Sequence, residues 1–139
     1  MSYGQQIVST VSNWDGIEAH PHRFGGTEFN LGNVEVGHIH GSHMVDIPFT
    51  VKLREALVET GAAQPHHLLH ESGWISFYLR QDADVEQALQ LFRLSYLQKR
   101  LSRARGDQRE ALLGEIASLS LPAQVKDVLL KGREVPSIE

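Results

Sequence analysis

The sequence predicts an α+β fold: an antiparallel sheet of about five strands (a meander plus one strand after a helix), packed by a long helix and followed by a helical C-terminal extension. Three observations predict it. Glycine-punctuated short segments fill residues 17–48. An aromatic and β-branched run stands at 74–79, after a helical stretch. The second half carries apolar residues at helical spacing. Strands grouped first and helices grouped last do not build a parallel α/β sheet, in which they would alternate.

In chain order, residues 4–13 suit a short helix with Ile7, Val8 and Val11 on one stripe, ended by the Asp15-Gly16 turn. Strands are expected near 17–23, 26–31, 33–40 and 43–48, with turns at Gly25-Gly26, Gly32-Asn33 and Gly41-Ser42. In the third strand, simple alternation places Val34, Val36, His38 and His40 on one face and Glu35, Gly37 and Ile39 on the other. Thr50 can cap a helix over 51–60 with a core stripe of Val51, Leu53, Leu57 and Val58, closed by Gly61. Residues 62–73 read as a loop, and Trp74–Leu79 as a strand. A long helix starts at Asp82 or Asp84 and runs to about Ala104 with two apolar flanks, which need cover from a sheet and from another helix. Asp107-x-x-Glu110 resembles a capping box for a helix over 108–119, and Pro122 opens a last short helix. The chain divides into an α+β unit, 1–104, and a helical extension, 105–139, packed on it or on a partner, both within a single domain.

Composition excludes several functions. No cysteine is present, which removes disulfides and thiolate metal sites. The net charge of −4 does not suit a nucleic-acid binder, and the local cluster Lys99, Arg100, Arg103 and Arg105 reads as a solvated helix end. No stretch is apolar enough to span a membrane and no signal peptide is visible, so a cytoplasmic protein is expected. Nucleotide-loop patterns and a serine elbow are absent, and no flavin or nucleotide is expected.

Histidine is the informative residue. All eight lie between positions 20 and 70: His20 and His22, then His38, His40 and His43, then His66, His67 and His70. Histidines two apart on a strand share a face, so His20/His22 and His38/His40 can converge if their strands approach each other. Imidazole serves as a general base or as a metal ligand. His22, His38 and His40 are the metal candidates, for zinc or iron, with Glu28, Glu35 or Asp46 able to add a carboxylate. A metal-free pocket, with histidine as base and hydrogen-bond donor, is the preferred expectation. Arg23, beside two histidines, can bind a carboxylate or enolate through its planar fork, or pair with Glu18 or Glu28 across strands.

These residues also carry a resemblance. Gly37-His-Ile-His-Gly-Ser-His43, then Asp46-Ile-Pro-Phe49, a helix, and Ser72-Gly-Trp-Ile-Ser-Phe77 resemble the luciferase-domain family, small prokaryotic proteins distantly related to the fungal luciferases. His20-Pro-His-Arg-Phe-Gly-Gly-Thr-Glu-Phe29 is similar to the family's other signature. The resemblance covers about residues 14–100 and leaves the later helices outside. Fungal luciferases oxidise a hydroxylated pyrone with molecular oxygen and need no flavin or nucleotide. The resemblance therefore implies a pocket for an electron-rich aromatic substrate. It points to Glu35, His38, His40, His43, one of His66 or His67, and Trp74, while Asp46 and Pro48 follow the prokaryotic members.

The expected function is an oxygenase-like reaction on a small electron-rich aromatic or enolic acid. His38, His40 or His43 is the expected base. His20, His22, Arg23, Glu35, Asp46, His67 and Trp74 are the expected substrate contacts. The alternative is a non-catalytic ligand-binding or metal-binding module that forms a homodimer through its C-terminal helices.

Overall fold

The structure, a computed structural model, describes residues 1–22, 25–66 and 72–131. Along the chain run α1 (Tyr3–Val11), β1 (Ile17–His22), β2 (Gly26–Leu31), β3 (Val34–His40), β4 (Met44–Pro48), α2 (Val51–Glu59), β5 (Gln64–Pro65), β6 (Trp74–Tyr78), α3 (Ala83–Arg103), α4 (Gly106–Ser118) and α5 (Ala123–Lys131). The class is α+β, and the sheet is antiparallel with the order β1-β2-β3-β4-β6-β5. It has six strands rather than about five, because the expected loop 62–73 contributes the two-residue β5 beside β6. No helix among the described residues is long and apolar enough to cross a membrane.

The meander closes on turns at the expected glycines. Gly32 and Gly41 have φ of 63° and 57°, values that cost a residue with a Cβ but cost glycine little. The caps are less predictable. Ser2 and Gln5 form a capping box on α1, and the Thr50 hydroxyl accepts from Leu53 N at the start of α2. The expected capping box of α4 does not form. That helix begins at Gly106 after Arg105, with no side-chain cap, so Asp107 already lies inside its first turn. Asp82 does not cap α3 either. Asp84 instead accepts from the backbone N–H groups of Arg80 and Gln81.

The main departure from the expected pattern lies in β3. Phe29 pairs with Gly37 and Asn30 with Glu35, leaving Val36 as an extra residue opposite neither. This β-bulge resets the alternation. Val36 and Ile39 are buried in the core, and Glu35 joins His38 and His40 on the opposite face. Gly37 faces the core, where a Cβ would stand 2.7 Å from the ring of Phe92. The bulge also needs a partner for its backbone. Ser95 of α3, fully buried, donates its hydroxyl to the Val36 carbonyl at 2.8 Å, and Lys99 donates to Ser95 Oγ at 2.8 Å.

One hydrophobic cluster joins the sheet's core face to the helices. Phe29, Ile39, Val45, Ile47 and Ile75 meet Ile7 and Val11 of α1, Leu53 and Leu57 of α2, and Phe92 and Leu97 of α3. In α2 the buried stripe is Leu53, Ala56 and Leu57, whereas Val51 is 47% exposed, since two residues before Leu53 is roughly the opposite side of a helix. Leu112 and Ile116 of α4 and Val125 and Leu129 of α5 belong to the same cluster, so the described part of the extension packs on the α+β unit. The two apolar flanks of α3 are thereby covered, one by the sheet and one by α1 and α4. Phe92 sits edge-on to Phe29 with centroids 5.4 Å apart. Replacing Phe92 by Ala is expected to cost about 3–5 kcal/mol, read from the shift of a urea unfolding curve, because the cavity would open against the bulged strand, where relaxation is poor.

Candidate functional site

The second face of the sheet is polar by register. His20 pairs with Glu28, Glu28 with His38, His38 with Asp46 and Asp46 with Ser76, so one row crosses five strands. Side chains on such a row stand side by side. His22 and His40 lie two residues along their strands on the same face. His66 follows β5, and its backbone N–H donates to the Trp74 carbonyl at 3.2 Å, which holds it next to this row.

The imidazoles converge. The rings of His22 and His38 stack with centroids 4.1 Å apart, and His40 stands edge-on to both at 5.9 and 4.8 Å. Trp74 lies 5.5 Å from His38 and 6.0 Å from His66. At the centre is Asp46, whose residue exposure is 1%. Its Oδ2 is 2.9 Å from His40 Nε2, 3.4 Å from His38 Nε2 and 3.5 Å from His66 Nε2. Ser76 donates its hydroxyl to Asp46 Oδ1 at 2.7 Å. On the far side of its ring, His38 Nδ1 is 2.6 Å from Glu35 Oε2, and His22 Nδ1 is 3.1 Å from Glu28 Oε1. Among the described residues, His38, His40 and Asp46 are the group whose ligand atoms lie close enough to hold a metal ion, all within 4.8 Å of one another.

Other expected residues lie elsewhere. His43 is exposed in the β3–β4 turn, beside Gly41. His20 is on the polar face but at its edge, half exposed and 3.3 Å from Glu18. Arg23 and His67, with His70, fall outside the described residues. His22, a metal candidate by spacing, lies flat against His38 with its Nδ1 on Glu28, and Asp46 occupies the third position instead.

Two contributors escaped the sequence. Ser76 stands in the Ser72–Phe77 run but was given no role, although its place two residues beyond Trp74 put it on the same face. Lys99 was grouped with a solvated cluster. It instead donates to the Pro48 carbonyl, reaches Ser95, and stands over the Phe49 ring. It lines a cavity of about 510 Å³ shared with Val34, Glu35, Phe49, Trp74 and Gln98. Glu35 and Trp74 therefore belong both to this cavity and to the histidine cluster.

Electrostatics fix the resting proton states. Burial alone would lower the pKa of His38, but its contacts with Asp46 and Glu35 outweigh that and raise it to about 9. Burial would raise the pKa of Asp46, and hydrogen bonds from His38, Ser76 and His40 overcome it, leaving the carboxyl well below its ordinary range. Burial would likewise raise the pKa of Glu28, and hydrogen bonds with His22 and Asn30 outweigh it and lower it.

At neutral pH His38 is an imidazolium between two carboxylates. Its raised pKa contributes stability that is complete below 6.5, its unperturbed value, and is lost as pH rises through about 9. The lowered Asp46 pKa contributes stability that is complete above 3.8, its unperturbed value, and is lost in acid. Melting temperature in chelator-containing buffer is therefore expected to be highest between about pH 4 and 6.5 as far as this pair is concerned, and to fall toward pH 9.5. The alkaline fall should be shallower in His38→Gln; an equally steep fall in that variant would place its origin elsewhere.

No curated protein and no solved structure matches the chain. A protein-family model does: the one described as the luciferase domain matches residues 33–95. That segment runs from the start of β3 to the middle of α3, and it contains Glu35, His38, His40, Asp46, His66, Trp74 and Ser76. Across those residues, which carry most of the polar cluster and part of the helix that supports it, the chain is similar to the luciferase domain.

Proposed function

We propose that this protein is an oxygenase-like enzyme acting on a small, electron-rich aromatic or enolic acid. The observation that carries the reading is a fixed imidazolium, His38, held between Asp46 and Glu35 and packed near Trp74, with Glu35 and Trp74 also lining a cavity walled by Phe49. Aromatic walls suit a planar conjugated ligand, and a buried cation suits the anion that such a ligand forms on losing a proton. The luciferase-domain match supports the same reaction class, although kinship of fold alone does not set a reaction.

The base follows from the proton states. His38 holds its proton up to about pH 9 and so has no lone pair to offer at neutrality. His43 is outside the cluster, and His40 shares Asp46. His22 is backed by Glu28 as a carboxylate-oriented imidazole and stacks on the cation. In this reading its Nε2 takes the proton of the enolic or phenolic hydroxyl, and the electron pair stays on the substrate as an enolate. His38 stabilises that anion. Dioxygen then accepts the electrons at the nucleophilic carbon, forming a C–O bond in a peroxide.

Oxygen uptake with a panel of enolic and phenolic acids tests the proposal. His22→Gln is expected to lower kcat by about 10²–10⁴, the usual worth of general-base help. Glu28→Gln should lower it less, and His43→Gln should leave it near the parent value. Uptake that survives both His22→Gln and His38→Gln unchanged would remove the basis of the reading.

A further inference from the structure

We infer that His38, His40 and Asp46, joined by His66, form a binding site for one divalent first-row transition cation of the iron(II) or zinc class. The inference goes beyond the proposed reaction and does not depend on it. It rests on spacing, on donor chemistry and on the groups behind the donors.

The spacing comes first. Ligand atoms bound at about 2.0–2.1 Å to a four-coordinate ion stand roughly 3.3 Å apart, and cis ligands in a six-coordinate ion roughly 2.9 Å apart. Asp46 Oδ2 is 2.9, 3.4 and 3.5 Å from the Nε2 atoms of His40, His38 and His66. These are the separations of donors around a common ion. The ligand atoms of His38, His40 and Asp46 all fall within 4.8 Å of one another, and rotation of the rings would draw them in around an ion.

The donor set also selects the ion. Calcium and magnesium prefer oxygen ligands, whereas imidazole suits iron, zinc, nickel and copper. Two histidines with one carboxylate are the facial set of non-haem iron proteins, which leave positions open. His38 and His40 come from one strand, two residues apart, and Asp46 faces His38 across the β3–β4 pair. The three donors thus rest on a rigid two-strand platform rather than on loops, which preserves their geometry.

Finally, the outer contacts match what a metal ligand needs. A ligating histidine usually gives its other ring N–H to a carboxylate, which fixes the tautomer and aims the remaining lone pair. His38 does so through Nδ1 and Glu35, and its Nε2, which faces Asp46, gives up its proton when a cation enters. Asp46 is oriented in turn by the Ser76 hydroxyl on its second oxygen. His22 does not belong to the ligand set, since its ring lies parallel to His38 and its Nδ1 is on Glu28.

The test uses the full chain, stripped with chelator, dialysed, and titrated with cobalt(II), whose visible absorption reports nitrogen and oxygen ligation directly. About one cobalt per chain is expected, with competition by zinc. His40→Gln and Asp46→Asn should abolish the visible band. Glu35→Gln, which leaves every proposed ligand in place, should weaken binding by about 10–100-fold. His20→Gln and His43→Gln should bind as the parent does. Circular dichroism on each variant shows whether it has folded, and the parent titration alone decides the matter if a ligand variant does not fold.

A folded parent that shows no cobalt band, or a band that His40→Gln and Glu35→Gln leave unchanged, overturns the inference. Cobalt bound by the cluster without any oxygen uptake upholds it and removes the proposed reaction. Oxygen uptake by a chain that binds no cobalt does the reverse.

Discussion

A carboxylate with almost no contact with solvent sits in the middle strand of this sheet, and much of the polar face is arranged around it. An unpaired charge in such a place is heavily penalised, and a buried ion pair is tolerated only when nearly every polar atom has a partner. Asp46 meets that condition through Ser76 on one oxygen and three imidazoles around the other. Its partners are drawn from β3, from β6 and from the residue after β5. The same contacts that make the charge tolerable therefore tie the central strands to the far edge of the sheet.

The core and the cluster use the two faces of one layer. Core residues of β3, β4 and β6 alternate with cluster residues, and helix α3 supports the site through the backbone of the strands as well as through the cavity that Lys99 shares with Glu35 and Trp74. Ser95 and Lys99 donate to the Val36 and Pro48 carbonyls, at the bulge and at the strand end. A helix that looks like simple packing thus holds the strands that aim Glu35, His38 and Asp46. The family match ends at residue 95, within this helix and at the serine that meets the bulge.

Much of this architecture was legible in the chain. Glycine turns and β-branched runs marked the four strands of the meander, and the period of apolar residues marked α3, because both signals are local. The convergence of His22, His38 and His40 followed from pairs two apart on strands. The parts that were hidden are nonlocal. Glu35 was assigned to the opposite face because an extra residue leaves no mark in a hydrophobic pattern. Ser76 becomes informative only when register sets it opposite Asp46. Lys99 looked like one cation among several until the strand end it serves was in place. The missing caps of α3 and α4 show that a capping pattern is permissive: Asp84 takes up backbone amides just before α3, and α4 starts two residues early.

The bulge at Val36 has a consequence for how this strand can change over time or under design. Because it inserts an odd step between the acid at 35 and the imidazole at 38, both point the same way while the valine between them stays in the core. Drawing that stretch into regular pairing without changing its length would swing the acid toward the helices and strip His38 of its outer support, even with every named side chain retained. The irregular pairing between these two positions is therefore itself a chemical property of the protein, to be kept in any graft or redesign alongside the residues.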